Sequence, residues 1–326
     1  MDSIHYIQEE MGSSFRAEEL SLDCFIIAGG SDSRAYEVLR LLLEKGAQIK
    51  RIIFFEFNER LDVEGKELEK FKEITKFDIS LDSIKVSIGE PSSGIKKLTE
   101  LINKEKFAES NVGIDITCFP KPYFFSILNY LDKYVELRSV EVFYTEPQSY
   151  LFKTGLYTSY HSSNGPVRNE VIPSFVGADY RDTRRVLIIF LGFDGDLAKE
   201  ASIEIDPNET VLFNGLPSYV PKFKDISIIS NESLINDKNR LLYSQANNPF
   251  KVYNALDKLK KEHPNKTNFD IVPLGSKPMA LGACLFAVHN SDIRVIYPIP
   301  EKYENVTTKN CLRSWYYSIP LKPEDA

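Results

Sequence analysis

At 326 residues and 37.3 kDa, the chain exceeds the usual size of a single hydrophobic core, so we expect two domains. Its composition, 43% apolar and 27% charged, excludes a chain that is disordered throughout. A net charge of -7 and an isoelectric point near 5.4 exclude an extended nucleic-acid-binding surface, because such a surface needs a broad excess of Lys and Arg.

The N-terminus and the cysteines indicate a compartment. MDSIHYIQEEMGSS has no basic segment followed by an apolar one, and no apolar run in the sequence reaches the length of a membrane span. The cysteines form no CxxC pair, and Cys24, Cys118 and Cys284 lie in or beside apolar runs, which is typical of buried thiols in a reducing compartment. We therefore predict a cytoplasmic protein with no membrane partner.

The predicted elements alternate between strands and helices. Short runs that are apolar on both faces predict buried strands over Cys24–Ala28, 52–57, 186–191 and 295–297 with Ile293. Amphipathic segments predict helices over 34–44, 67–74, 94–104, 123–134, 250–261 and 279–289. The alternation favours an α/β fold with mainly parallel sheets, arranged as two tandem Rossmann-like lobes.

Two parts of the sequence resemble each other. Segment 113–150 is similar to segment 268–303, and the runs CFIIAGGSDSRAYEVL and VLIIFLGFDGDLAKEA, which begin at Cys24 and Val186, are similar more weakly. Internal duplication explains both similarities, while convergence on the same turn chemistry is the alternative. The matched positions are Asp115 with Asp270, Lys121 with Lys277, Pro122 with Pro278, Tyr144 with Tyr297, Pro147 with Pro300, and Tyr150 with Tyr303.

The predicted domain boundary follows from these repeats. The first lobe is expected over 1–152 and the second over 186–326. Residues 153–185 are rich in Gly, Ser, Asn and Tyr and lack helical periodicity, which favours a linker or a hairpin that covers the site.

Loops that follow parallel strands are the expected ligand-binding positions. They span 28–34, 117–121, 192–196 and 274–277, and we expect them to contribute to one composite site. The candidate ligand-binding residues are Gly29, Gly30, Ser31, Asp32, Ser33, Thr117, Lys121, Gly192, Asp194, Gly275, Ser276, Lys277, Tyr150 and Tyr303.

The two Lys-Pro pairs suit an anion. Proline favours the first helical turn, and lysine then lies where unpaired amide hydrogens and the helix dipole attract negative charge. Thr117 precedes the first pair, while Gly275 and Ser276 precede the second, so a hydroxyl or an unobstructed amide is available near each. Two interpretations stay open: a shared phosphate site, or helix-start chemistry with solvated lysines.

The run AGGSDS, over 28–33, resembles the SGGxDS signature of PP-loop ATP pyrophosphatases. Gly29, Gly30, Asp32 and Ser33 match that signature, while Ala28 replaces its leading serine and removes a hydroxyl from the phosphate cradle. The resemblance implies an ATP-dependent adenylating enzyme as an alternative function. A tight Gly-Gly turn with an Asp or Ser cap explains the same residues without any ATP chemistry.

The run DIVPLGSKPMALGACLFAV followed by DIRVIYPIP resembles an element of CARF and SAVED domains. Gly275, Ser276, Lys277 and Met279 carry the resemblance, which covers about thirty residues of the second lobe. It implies a Rossmann-like sensor of cyclic oligonucleotides in prokaryotic antiviral defence. A sensor of this kind would bind a phosphorylated nucleotide and act through a separate effector protein, unless it cleaves its own ligand.

Other chemistry is weakly indicated. No histidine has metal-ligand spacing and no flavin signature is found, so neither zinc nor flavin is predicted. Asp194 and Asp196 are compatible with magnesium bound together with a nucleotide, or with ordinary turn residues. Tyr150 and Tyr303, placed alike after the last strand of each lobe, can stack on a base or pack in the protein. A non-catalytic assembly scaffold is the remaining alternative, and no catalytic residue is predicted.

Overall fold

The structure is a computed structural model of the chain. It describes residues 7–30, 32, 34–60, 71, 79–105, 109–151, 163–181, 183–303 and 307–319. The chain divides into two compact units, one made of Met1–Ser149 with Thr308–Ala326 and the other of Tyr150–Thr307. Both units have a mostly parallel sheet with connecting helices, so the predicted Rossmann-like α/β class is confirmed.

The first unit is built on a seven-stranded sheet in the order β1-β15-β8-β7-β3-β5-β6. A small parallel pair, β2 with β4, accompanies it. Its strands are β1 (Ile7–Glu10), β2 (Ser21–Leu22), β3 (Cys24–Ala28), β4 (Gln48–Ile49), β5 (Arg51–Phe57), β6 (Ser80–Val86), β7 (Ser110–Asp115), β8 (Leu137–Leu151) and β15 (Thr307–Ile319). Its helices are α1 (Glu37–Glu44), α2 (Pro91–Glu105) and α3 (Lys121–Tyr134), with 3-10 turns at Ala17–Glu19 and Asn58–Arg60.

The second unit is built on a six-stranded sheet in the order β12-β11-β10-β13-β14-β9. Its strands are β9 (Ser163–Val176), β10 (Arg185–Phe190), β11 (Glu209–Gly215), β12 (Arg240–Ser244), β13 (Asn268–Pro273) and β14 (Ile293–Tyr303). Its helices are α4 (Gly195–Ile205), α5 (Pro221–Ser230), α6 (Pro249–Lys261) and α7 (Lys277–His289), with a 3-10 turn at Glu232–Leu234.

The central strands are buried within the protein because their sequences are continuously apolar. Every residue of β3 and of β5 is buried, as the sequence predicts for strands covered on both faces. In the first unit, Val38 and Leu39 of α1 join a core that contains Phe25 and Phe54. Burying each such side chain contributes roughly 1.5–3 kcal/mol. This packing fixes the strand ends from which the loops emerge.

The parallel strands of the two units have the same order. It is β8-β7-β3-β5-β6 in the first unit and β14-β13-β10-β11-β12 in the second. The shared order is what the duplication hypothesis requires. Because convergent units can share an order as well, duplication stays a hypothesis.

The compact units differ from the predicted lobes at two places. Within the predicted linker, β9 forms a 14-residue strand that pairs with β14, so this stretch belongs to the second sheet. Within the predicted second lobe, β15 pairs with β1 in the first sheet. Both differences arise because strand pairing joins segments that are far apart in the sequence. Residues 152–162 lie outside the described part of the chain.

Candidate functional site

The second unit has a topological switch point between β10 and β13. The chain runs from β10 to β11 and β12 on one side of the sheet, and then returns to place β13 on the other side of β10. All of these neighbours are parallel, so their following loops leave at the same edge. Ligands of open α/β sheets bind in the crevice that such a reversal creates. The predicted loops 192–196 and 274–277 follow β10 and β13, the two strands between which the order reverses.

Two glycines let these loops approach each other closely. A Cβ atom at Gly192 would lie 2.6 Å from the carbonyl oxygen of Leu274, and one at Gly275 would lie 3.2 Å from Cβ of Phe190. At Gly192 the backbone therefore lies directly against the backbone of Leu274, while the buried Gly275 lies against Phe190.

The second loop leads into α7 through Ser276. The Ser276 hydroxyl oxygen accepts a hydrogen bond from the backbone N–H of Met279 at 3.2 Å and its O–H donates to the carbonyl of Ala246. Lys277, half-buried, is the first residue of this 13-residue helix. The Lys-Pro pair therefore starts a helix, as predicted, and puts a cation beside the positive end of the helix dipole. Met279 is buried, as expected for a core residue.

Two residues that the sequence did not indicate hold Gly192 in place. Asn231 Nδ2 and Ser227 Oγ both donate to the Gly192 carbonyl, at 2.9 Å and 3.2 Å. Asn231 is fully buried just after α5. No sequence pattern connects Asn231 with a loop 39 residues away, so only the fold reveals this contact.

Tyr150 lies beside the first of the two loops. Its ring packs against Phe193 and Phe223, with centroids 5.3 Å apart in each case. Phe193 is the residue after Gly192 and is half-buried, so aromatic surface adjoins the glycine loop. Tyr303 ends β14, but its side chain lies outside the described part of the chain.

Asp194 is buried immediately before α4. Among the residues that the structure describes, no three His, Cys, Asp or Glu side chains cluster as a metal site. The cysteines Cys24, Cys118 and Cys284 are buried, as predicted.

No protein-family model and no curated protein matches the sequence. A solved structure described as a type III CRISPR defence DNA nuclease activated by cyclic oligoadenylate is similar to the chain, with a TM-score of 0.49 and 10% identity. The match covers 85% of this chain and 65% of that one. Within the described residues, no helix is long and apolar enough to cross a membrane.

The first unit has its own switch point, between β3 and β7. Loop 28–34 follows β3, and the Gly29 N–H donates to the Phe55 carbonyl at 2.9 Å. Asp32 accepts from the backbone N–H and the guanidinium of Arg34 and from the Thr308 hydroxyl. Ser31 and Ser33 lie outside the described residues, whereas Gly30 directly follows Gly29 and is buried.

Arg34 connects this loop to β8. Its Nη1 donates to the Thr145 carbonyl at 2.9 Å, while its other nitrogens bind Asp32. Burial by itself raises the pKa of Asp32, but the hydrogen bonds and charge of Arg34, with the Thr308 hydroxyl, outweigh burial and lower it to about 2. The carboxylate is therefore held as an anion within the protein.

In the loop after β7, Thr117 forms hydrogen bonds to neighbouring residues of the protein. Its backbone N–H donates to Asp115 Oδ1, and its hydroxyl oxygen accepts from the Thr145 N–H, both at 2.9 Å. Thr117 is 1% exposed, so these contacts assign it to loop geometry.

Lys121 is the first residue of α3, as Lys277 is of α7. Both lysines are half-buried. The alternative interpretation of the sequence was that they are solvated. Burial lowers the pKa of the Lys121 ammonium to about 7. A nearby anion would restore its charge, since an opposite charge favours the ionised form.

Strand registers test the matched positions. Ile27 pairs with Asp115, and Ile189 pairs with Val272, so Asp115 is equivalent to Val272 in the ladder. Asp270 instead lies two residues earlier and binds Arg185 and Arg294. If Ile27 is aligned with Ile189, Asp115 and Asp270 therefore occupy different positions along their strands, and the match of these two residues stays a prediction. The match of Tyr144 with Tyr297 agrees with the β7–β8 and β13–β14 registers.

The four predicted loops are divided into two pairs, one pair in each unit. Loops 28–34 and 117–121 follow adjacent strands of the first sheet, and loops 192–196 and 274–277 follow adjacent strands of the second. A composite site of all four stays a prediction.

Proposed function

We propose that the protein is a nucleotide sensor of CARF-like type and that the switch point of its second unit binds a phosphate of the ligand. The observation that carries the proposal is the contact between Gly192 and Leu274 beside the Ser276-capped start of α7. The helix dipole of α7 and the Lys277 ammonium then face one anion.

The ligand we propose is a phosphorylated nucleotide, with cyclic oligonucleotides as the preferred class. Tyr150 and Phe193 provide aromatic surface next to the glycine loop, and base–aromatic stacking suits any nucleobase. The resemblance of Gly275, Ser276, Lys277 and Met279 to the CARF element favours a cyclic oligonucleotide over a simple nucleotide. Signal transfer would require a separate effector protein, and magnesium would accompany the nucleotide if Asp194 takes part.

The first experiment is a thermal-shift screen with ATP, cyclic dinucleotides and cyclic oligoadenylates, followed by calorimetry on any ligand that raises the melting temperature. Lys277→Ala should weaken binding about tenfold or more, because a charge-assisted hydrogen bond contributes roughly 1.5–3 kcal/mol. Lys121→Ala tests whether the first unit contributes to the same site.

The matched control is Lys258→Ala, an exposed lysine in the last turn of α6. It should leave affinity unchanged. A ligand that binds Lys277→Ala and the parent equally would contradict the proposal. No shift with any nucleotide would favour the assembly scaffold instead.

A further inference from the structure

Strand β9 forms one end of the six-stranded sheet. Its central sequence is Val-Arg-Asn-Glu-Val, over 167–171, and it pairs with β14 on one side only among the described strands. In that pairing Asn169 is opposite Pro298 and Val167 is opposite Pro300.

The two prolines determine which way the β9 backbone points. Proline has no N–H, so its pairs must be the non-hydrogen-bonded ones of the antiparallel ladder. The bonds to β14 then come from Arg168 and Glu170, opposite Ile299 and Tyr297. Because the ladder alternates, Val167, Asn169 and Val171 direct their backbone N–H and C=O groups to the outer edge.

We propose that a second copy of this chain pairs with this edge, antiparallel and centred on Asn169. In this register Val167 lies opposite Val171 of the second copy, and Arg168 lies opposite Glu170 of the second copy. The segment is self-complementary, as a two-fold interface requires. About six backbone hydrogen bonds would form across the edge.

Charge selects the register. A shift of two residues in one direction puts Arg168 opposite Arg168 of the second copy, and a shift in the other direction puts Glu170 opposite Glu170. Like charges directly opposite are destabilising, whereas the central register pairs both arginines with glutamates. Arg168 and Glu170 are exposed and now form an ion pair within one chain, at 3.4 Å, so they are available to a partner.

Local sequence sets the length of the paired segment. Pro166 precedes it and Pro173 follows it, and Ser174 has a positive φ of 73° that interrupts regular strand geometry. The interface is therefore short, and Val171, which is 38% exposed, contributes its apolar surface. Interfaces of this size belong to the weak class, so we expect a micromolar monomer–dimer equilibrium.

The test is sedimentation velocity on the full chain from low micromolar to several hundred micromolar concentrations. The parent should dimerise, and Glu170→Arg should be monomeric because arginines then face arginines. The double variant Arg168→Glu with Glu170→Arg restores opposite charges and should recover the dimer. Asn169→Pro removes the outward-facing N–H, together with the exposed side-chain hydrogen bond from Asn169 to Glu204, and should also give a folded monomer, checked by circular dichroism.

A cross-link tests the register directly. Residues opposite each other in a hydrogen-bonded pair have Cα atoms about 5.5 Å apart, which suits a disulfide. Asn169→Cys should therefore form an intermolecular disulfide under mild oxidation that the parent does not form. A parent that stays monomeric over the whole range, or a Glu170→Arg variant that dimerises as well as the parent, would overturn the proposal. So would a double variant that fails to recover the dimer.

Discussion

Arg34 holds the Asp32 carboxylate by both oxygens: Nε donates to Oδ1 at 3.0 Å and Nη2 donates to Oδ2 at 2.7 Å. Two-pronged contacts of this kind are the strong form of the Arg–carboxylate pair. The guanidinium is almost fully buried and also reaches the Thr145 carbonyl, so the pair joins the glycine loop to β8.

Asp32→Asn should destabilise the first unit by roughly 2 kcal/mol at neutral pH, the equivalent of lowering a carboxyl pKa from its ordinary value of 3.8 to about 2. The sign follows from the lowered pKa. The stabilisation that the ionised Asp32 carboxylate contributes is fully present above pH 4 or so and is lost as pH falls toward about 2. Urea unfolding of parent and variant across this range measures the difference.

The control for this prediction is Asp257→Asn, an exposed carboxyl paired with Lys261 on α6. It should change stability by less than about 0.5 kcal/mol. An Asp32→Asn variant that matches the parent at neutral pH would show that the Arg34 contact contributes nothing net.

The contact between Arg34 and Asp32 also bears on whether the chain can cleave ATP. We predict that the chain releases no pyrophosphate from ATP with candidate acceptors, since Ala28 lacks the hydroxyl of the signature and Asp32 is bound to Arg34 and Thr308. A coupled pyrophosphate assay measures this. Pyrophosphate release that disappears in Asp32→Ala would instead favour an adenylating enzyme.

Lys121→Met should stabilise the first unit at pH 6, by about 1–2 kcal/mol once solvent screening is allowed for. The folded pKa of about 7 lies below the ordinary value of 10.5, so the unfolded chain binds more protons between these values. Stability of the parent therefore rises with pH over this window, and the advantage of the variant shrinks toward pH 10.5.

Thermal unfolding of the parent and of Lys121→Met from pH 6 to pH 10 measures the difference in their stability. Lys133→Met, at the exposed end of the same helix, is the control and should show no such trend. A Lys121→Met variant that is less stable than the parent at every pH would mean that the ammonium is favourably paired in the fold.

The sequence predicted four of the parallel strands, and placed the starts of α1, α2, α3, α6 and α7 within three residues, because these signals are local. β3 matches its predicted bounds, β5 begins one residue earlier than predicted, and β10 is shifted by one residue, since continuous apolarity reports burial on both faces. β9 and β15 were not predicted. Neither has continuous apolarity, and β9 contains prolines, so only their distant partners define them as strands.

The residues of the candidate site also fall into two groups, those that the sequence indicated and those that only the fold revealed. Gly192, Gly275, Ser276 and Lys277 stand out because glycine and Lys-Pro have local conformational meaning. Asn231 was missed because its contact with Gly192 depends on how α5 ends in space. Arg34 was missed although it follows Asp32 by two residues, since this spacing also occurs in ordinary turns.

The last prediction concerns Gly192→Ala. Its Cβ would lie 2.6 Å from the Leu274 carbonyl, which is backbone and cannot rotate away, so the two loops must separate. Overpacking of this kind costs about 1–3 kcal/mol, and separation should lower nucleotide affinity about tenfold because the two loops proposed to hold the phosphate move apart. Calorimetry well below the melting temperature, on a variant shown to be folded, separates the loss of affinity from the loss of stability.

Gly89→Ala is the matched control, because a Cβ there would meet nothing within 4 Å. It should bind as the parent does and be at least as stable, since alanine restricts the unfolded chain. Should Gly192→Ala lose stability yet bind a nucleotide with unchanged affinity, the close approach of the loops would be a packing feature and the phosphate site would lie elsewhere. If both its affinity and its stability equalled those of the parent, the backbone contact at the switch point would itself be wrong.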